Sequence, residues 1–209
     1  MAYRLIIFDF DGVLADSAAW VLREMKPLAR RFGFREVTDD EVAMLRGRDN
    51  REIVRYMRVP AWKLPLIARH VRRRMAEDAH SMALFHGAPA LLRGLAGAGA
   101  RLAIVSSNSE ANIRRILGDE LAGLIADYDC GAGLFGKAAK FRRLVRRAGA
   151  LPGEVLCVGD EVRDIEAAAQ AGLASGAATW GYATPDLLAA RSPTLLFASP
   201  DEMLARLTA

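Results

Sequence analysis

Cysteine is scarce in this chain: Cys130 and Cys157 are the only two among 209 residues. Both lie in apolar, strand-like runs. Two such residues make neither a disulfide framework nor a thiolate metal site, and buried thiols in a reducing compartment are expected. The three histidines, His70, His80 and His86, show no metal-ligand spacing. No apolar run approaches the roughly 20 residues of a membrane span. The opening Arg4-Leu5-Ile6-Ile7-Phe8 lacks the basic start, apolar stretch and small-residue cleavage site of a leader. The expectation is a cytoplasmic protein with no membrane partner. Interleaved aromatic and basic residues are also missing, so no nucleic-acid partner is expected.

What is present is the composition of a soluble globular chain, 52% hydrophobic and 26% charged. The length suits one full domain, or a domain carrying a smaller insertion. The 29 Lys and Arg exceed the 25 Asp and Glu, and the surplus lies between Asp16 and Leu84. A basic segment of this kind can steer an anionic substrate, or can be the solvated face of Arg-rich helices. Arg72-Arg73-Arg74 reads as such a face.

Arg4 to Phe8 is short, apolar and not helically periodic, which predicts a buried strand. Asp9 to Asp16 reads as a loop. Helical patterns follow over Ser17–Phe32, Asp39–Leu45, Asn50–Met57 and Pro60 to about His80. Beyond His86-Gly87, strands and helices alternate. Strands are predicted at 101–105, 125–130, 155–158, 173–179 and near Leu195. Helices are predicted at 89–98, 109–117, 137–148, 162–171, 185–190 and 200–207, with a loop over 131–136. This alternation predicts an α/β fold, a Rossmann-like parallel sheet covered on both faces. The helical stretch becomes an inserted α-helical cap, giving a core of 1–15 and 85–209 and a cap of 16–84.

Ligands of such sheets bind at the carboxyl ends of the strands. Asp9 and Asp11, Ser106, and Asp160 with Asp164 all fall at those ends, and Lys137 opens a following helix. Carboxylates so placed repel a phosphate ester unless a divalent cation lies between, and Mg2+ suits oxygen ligands and phosphate. Asp9 and Asp160 can supply ligands. Asp9 can also attack phosphorus, Asp11 can serve as general acid and base, Ser106 can bond a phosphoryl oxygen, and Lys137 can neutralise developing charge.

The run Asp9-Phe10-Asp11-Gly12-Val13-Leu14-Ala15-Asp16-Ser17 resembles the first motif of the haloacid dehalogenase superfamily. Ser106, Lys137 and Gly159-Asp160-Glu161-Val162-Arg163-Asp164 resemble its second, third and fourth motifs in order and spacing, across essentially the whole chain. The resemblance implies subfamily I, with a mobile helical cap after the first motif and a phosphoglycolate-phosphatase-like activity. It implies catalysis by Asp9, Asp11, Ser106 and Lys137. It implies Mg2+ on Asp9, Asp160 and the Asp11 carbonyl, and phosphate held around Gly12, Ser107 and Asn108. Members that cleave halides lack an Asp at the place of Asp11, so its presence implies phosphoryl transfer. Lys140 is the alternative to Lys137 as the motif lysine, and the Lys-Pro pair common in phosphoglycolate phosphatases is missing. Asp164 is expected to support the lysine or a metal-bound water. Arg46 and Arg48, in a turn of the cap, are candidates for recognising a carboxylate or second phosphate bidentately.

The expected partner is a small phosphorylated metabolite, with monomer and dimer both open. The expected reaction is hydrolysis of a phosphomonoester through an aspartyl-phosphate. A phosphomutase acting on a sugar phosphate, or a non-catalytic phospho-ligand-binding protein, would be alternatives on the same motifs.

Overall fold

Four consecutive apolar residues, Leu5–Phe8, form strand β1, and all four are buried. A strand covered on both faces needs apolar residues at odd and even positions alike, so this run shows no alternation. The structure, a computed structural model, describes residues 2–131 and 136–209. Most of the loop expected over 131–136 lies outside the described residues. After β1 come β2 (Ala15–Asp16), α1 (Ala18–Phe32), α2 (Asp39–Arg46), α3 (Asn50–Tyr56), α4 (Leu64–Glu77) and β3 (Ala83–Leu84). The chain continues through α5 (Ala88–Gly97), β4 (Arg101–Val105), α6 (Glu110–Leu124), β5 (Ile125–Asp129), α7 (Lys137–Ala148) and β6 (Val155–Gly159). It ends with α8 (Val162–Ala171), β7 (Ala174–Ala178), α9 (Pro185–Ala189), β8 (Leu195–Phe197) and α10 (Pro200–Thr208).

Six strands make one parallel sheet in the order β5-β4-β1-β6-β7-β8. From β1 the chain builds outward through β4 and β5, then returns to the other side of β1 for β6, β7 and β8. The order reverses there, and the crevice at the carboxyl ends of β1, β4 and β6 is the place where such sheets bind ligands. Ile6 and Phe8 pack with Leu92, Leu102 and Ile104 on one face, under α5, α6 and α10. Leu5 and Ile7 pack with Val105, Phe141 and Leu144 on the other, under α7 and α8. The architecture is Rossmann-like with an inserted helical cap.

The cap helices have small cores of their own. Trp20, Met75 and Met82 form one, and Val37, Leu45 and Met57 another. The insertion leaves and re-enters through β2 and β3, an antiparallel pair with Ala15 opposite Leu84 and Asp16 opposite Ala83. The segment expected as loop over 9–16 thus ends in a strand. The long helix expected from Pro60 to His80 is broken into a 3-10 turn at Ala61–Lys63, α4, and a second 3-10 turn at Ala79–Ser81. Pro65 lies in the first turn of α4, where its missing N–H is not needed and its fixed φ starts a helix. The helix expected to end at Leu117 continues to Leu124 across a kink at Gly118, with φ 71° and ψ 167°. Among the described residues, no helix is long and apolar enough to cross a membrane.

Candidate active site

Register brings the acids together. Phe8, the last residue of β1, lies beside Ile104 of β4 and Val158 of β6, and the Asp9 N–H donates to the Val158 carbonyl at 2.8 Å. Asp9, Ser106 and Asp160 therefore leave the sheet on one rim, each buried. Asp164 joins them from the first turn of α8. Its Oδ2 accepts the Glu161 N–H at 3.2 Å, closing that turn. Carboxylate oxygens of Asp9, Asp160 and Asp164 all lie within 4.8 Å of one another.

Lys137, the first residue of α7, places its ammonium 2.5 Å from Asp9 Oδ2 and 2.5 Å from Asp164 Oδ1. Burial disfavours the Lys137 charge, but Asp164 and Asp9 outweigh it and raise the pKa. Burial pushes Asp9 upward, and Lys137 opposes it. Lys140 points elsewhere, bonding the Asp129 carbonyl at 2.7 Å and the Asp129 carboxylate at 3.2 Å. Of the two lysines weighed from sequence, Lys137 is the one at the acid cluster.

Asp11 is turned by Asn108, whose Nδ2 donates to Asp11 Oδ2 at 3.3 Å. Burial, then the nearby charge of Asp9, push the Asp11 carboxyl up to about 6. A carboxyl in that range can give and take a proton near neutrality. Burial raises Asp160 well above the ordinary carboxylate range, aided by the charges of Glu161, Asp164 and Asp9.

The donor set fits a hard divalent cation. Asp160 Oδ1 and Asp11 Oδ1 are buried with no hydrogen-bond partner among the described residues. Orphaned carboxylate oxygens are costly in a protein interior. Oxygen-only donors crowded this closely suit Mg2+ or a similar ion. Asp164 completes the trio of close carboxylates, while also holding Lys137.

Five residues expected to contact substrate have partners within the protein. Gly12, expected to bind phosphate, donates its N–H to the Ala15 carbonyl at 3.0 Å. Its place is steric: φ is +81°, and a Cβ there would lie 2.1 Å from Asp160 Oδ2. The Asn108 N–H is likewise taken, by Ser106 Oγ at 3.1 Å, and its side chain orients Asp11. Arg48 pairs with Glu52 on the exposed face of α3 at 3.5 Å. Arg46 donates from Nε to the Tyr182 carbonyl at 2.9 Å and from a terminal nitrogen to Gly181 at 3.1 Å. Arg46 thus uses Nε and one terminal nitrogen, and Arg48 one terminal nitrogen, for partners within the protein. For Ser107, the described contact is its carbonyl, which lies 3.5 Å from a terminal nitrogen of Arg72.

Sequence reasoning missed three neighbours of the acids. The Tyr182 N–H donates to Asp160 Oδ2 at 2.8 Å, and its hydroxyl shares a 2.8 Å hydrogen bond with Ser17. Arg163 pairs with Glu161. Burial opposes its charge, but Glu161, Asp164, Asp9 and Asp160 hold it protonated. Asn112 donates to Asn108 Oδ1 at 3.1 Å and to the Arg72 carbonyl at 3.0 Å. Tyr182 follows the end of β7, so the strand-end rule could have found it, whereas Asn112 sits within a helix and carries no such signal. Trp180 donates its indole N–H to the Val13 carbonyl at 3.0 Å.

A family model for haloacid dehalogenase-like hydrolases matches residues 6–178. The chain is 35% identical over 206 residues to a phosphoglycolate phosphatase of Synechococcus elongatus, covering 98% of this chain and 97% of that protein. It is 27% identical over 201 residues to the tyrosine-protein kinase PtkA of Mycobacterium tuberculosis, covering 92% of this chain and 68% of that one. A haloacid dehalogenase-like family protein from Streptococcus pneumoniae superposes with a TM-score of 0.80 over 99% of both chains, at 18% identity. By family model and by near-full-length similarity, the chain belongs to the haloacid dehalogenase-like hydrolases.

Proposed function

We propose that this protein is a Mg2+-dependent phosphatase that hydrolyses a small phosphomonoester, phosphoglycolate-like in kind, through an aspartyl-phosphate on Asp9. The observation that carries this reading is the pairing of a buried Asp9, held by Lys137, with an Asp11 that Asn108 orients and whose carboxyl burial pushes up to about 6. A nucleophile and a proton donor, two residues apart, sit in environments that set them different tasks. Similarity to a phosphoglycolate phosphatase along nearly the whole of both chains supports the substrate class.

Asp9, Asp160 and the Asp11 carbonyl would hold the ion, with Asp164 beside them. Bound there, Mg2+ offsets the repulsion between the carboxylates and the phosphate dianion. Asp9 attacks phosphorus in line, and the ester oxygen departs with the proton of Asp11. Water then attacks the same phosphorus, giving its proton to Asp11. Inorganic phosphate leaves and the Asp9 carboxylate is restored. Lys137 keeps Asp9 ionised and in place, Asp164 keeps Lys137 in place, and Ser106 offers its hydroxyl to a phosphoryl oxygen. Residues 16–84 act as the mobile unit, turning on the β2–β3 pair to exclude bulk water. Two free thiols, one of them buried, support a cytoplasmic setting.

The test is phosphate release from a panel of small phosphate esters, with Mg2+ and with chelator, for wild type and Asp9→Asn. Release that needs Mg2+, and that falls more than about 10^3-fold in the variant, is expected. Undiminished turnover in the folded variant would sink the mechanism. Isomerised sugar phosphate without free phosphate would replace hydrolysis by mutase chemistry.

A further inference from the structure

The turn joining α2 to α3 reaches the metal-site acids from the cap by two separate routes. On one side of the turn, Asn50 Nδ2 donates to Glu161 Oε1 at 2.9 Å. Glu161 is the residue after Asp160. Its own N–H holds Asp164 Oδ2, Asp164 Oδ1 holds Lys137, and Lys137 holds Asp9. An unbroken chain of polar contacts therefore runs from a cap side chain to the proposed nucleophile. On the other side, Arg46 grips the carbonyls of Gly181 and Tyr182, while the Thr184 N–H donates back to the Arg46 carbonyl at 3.1 Å. The Tyr182 N–H holds Asp160 Oδ2.

The two grips fall on the two segments that fix Asp160: the one that follows it, and the one that lies over it. Gly181 shows how close that second segment comes, since a Cβ there would lie 2.3 Å from the Asp160 Cβ. The turn itself is built to be stiff. Asp49 caps α3 by accepting the Glu52 N–H at 2.9 Å, and Glu52 answers by accepting the Asp49 N–H at 3.0 Å. Asn50 and Arg46 thus stand at fixed positions on one rigid corner, and neither has a role in the chemistry proposed above.

We propose that Asn50 and Arg46 are positioning residues that couple closure of the cap to the arrangement of the carboxylates that hold the metal. With the cap closed, Asn50 fixes Glu161 and hence the first turn of α8, and Arg46 fixes Gly181-Tyr182 and hence Asp160. With the cap open, both segments lose a partner. Coupling of this kind is reciprocal. The closed cap raises affinity for the ion, and the ion favours the closed cap, although no cap side chain touches it. The inference rests on the proposed reading of Asp9 and Asp160 as metal ligands.

The test uses the full chain and Mg2+ alone. Calorimetric titration would compare wild type, Asn50→Ala, Arg46→Ala and the double variant. Hydrogen exchange would follow residues 46–50 and 179–184 with and without Mg2+. Both cap residues lie at the surface of the insertion, and unchanged protection of β1 and β6 would show that the fold is kept. Mg2+ is expected to protect residues 46–50 in wild type, and the double variant to bind Mg2+ about fivefold or more weakly, with that protection gone. Asn50→Asp, which sets a negative charge against Glu161, is expected to weaken binding more than Asn50→Ala, and Asn50→Gln to restore part of it. Mg2+ binding that is sound in wild type and unaltered in every variant overturns the coupling and leaves the metal site standing. No Mg2+ binding by wild type overturns both.

Discussion

Asp11 has two tasks in the proposed cycle, and they make unequal demands on it. Protonating the departing oxygen matters most when that oxygen is a poor leaving group, as in an alkyl phosphate. Taking a proton from water matters for every substrate. Asp11→Asn is therefore expected to slow alkyl-ester hydrolysis by about 10^2- to 10^4-fold. With an aryl phosphate it should still phosphorylate Asp9, giving a burst of phenol and then a stalled enzyme. Rapid-mixing kinetics with the aryl ester would check this, and steady turnover without a burst would contradict it.

The same carboxyls set a pH dependence for metal binding. Burial raises the pKa values of Asp11, to about 6, and of Asp160. In the metal-free fold these groups hold protons that the unfolded chain has released. Their contribution to stability is therefore present below the ordinary value of 3.8 and is lost as pH rises through about 6 for Asp11 and through the raised value of Asp160. A cation relieves the crowded charge at high pH and must displace protons at low pH. Thermal melts should show a larger Mg2+-induced rise in Tm at about pH 7.5 than at about pH 5. An equal rise at both would contradict this account.

Much of this chemistry was legible because polar residues at the ends of apolar runs have few structural reasons to be there. Asp9, Ser106 and Asp160 announced themselves in that way. Arg46 did not disclose its partners, because a backbone carbonyl 135 residues away leaves no mark on the local sequence.

Among the elements, the runs that bury both faces matched expectation most closely. β4 and α7 have the bounds read from the sequence, since apolar content alone defines such a strand and amphipathic spacing such a helix. β2 and β3 were invisible. Two residues are too few for any period, and their pairing depends on where the insertion happens to leave and return. The helix expected to end at Leu117 resumes beyond Gly118 because Leu121 and Ala122 find places in the core.

The tight turn after β1 supports a prediction at this scale. Gly12 has φ +81° and faces Asp160 with no room for a methyl group. Gly12→Ala is expected to lower stability by about 1–3 kcal/mol, by steric strain in the left-handed region and by displacing Asp160. Denaturant unfolding would measure the first effect. A weakened Mg2+ response in the melt would measure the second, and a variant with wild-type values for both would refute the packing argument.

For the molecule as a whole, the excess of positive charge is smaller in effect than in number. Many cap arginines are already answered: Arg30 by Glu36, Arg35 by Glu41, and Arg74 by Glu24 and Glu77. The exposed pairs among them add little stability, but all of them reduce the field that an anionic substrate meets. The salt dependence of kcat/KM should therefore be shallow, a fall of less than about tenfold between roughly 0.02 and 0.2 M salt. Stopped-flow or initial-rate measurements would show it, and a steep fall would mean that the cap steers its substrate strongly.

The position of β1 has a consequence for synthesis. Leu5 pairs with Arg101 on one side and with Val155 on the other, so the strand that delivers Asp9 waits for partners made long after it. Until β6 has left the ribosome, one edge of four apolar residues stays open, and contacts this distant in sequence are slow to form. The strand that carries Asp9 is thus open to misassembly while the chain is being made. The helical insertion, with its own small clusters of buried residues, is made in that interval.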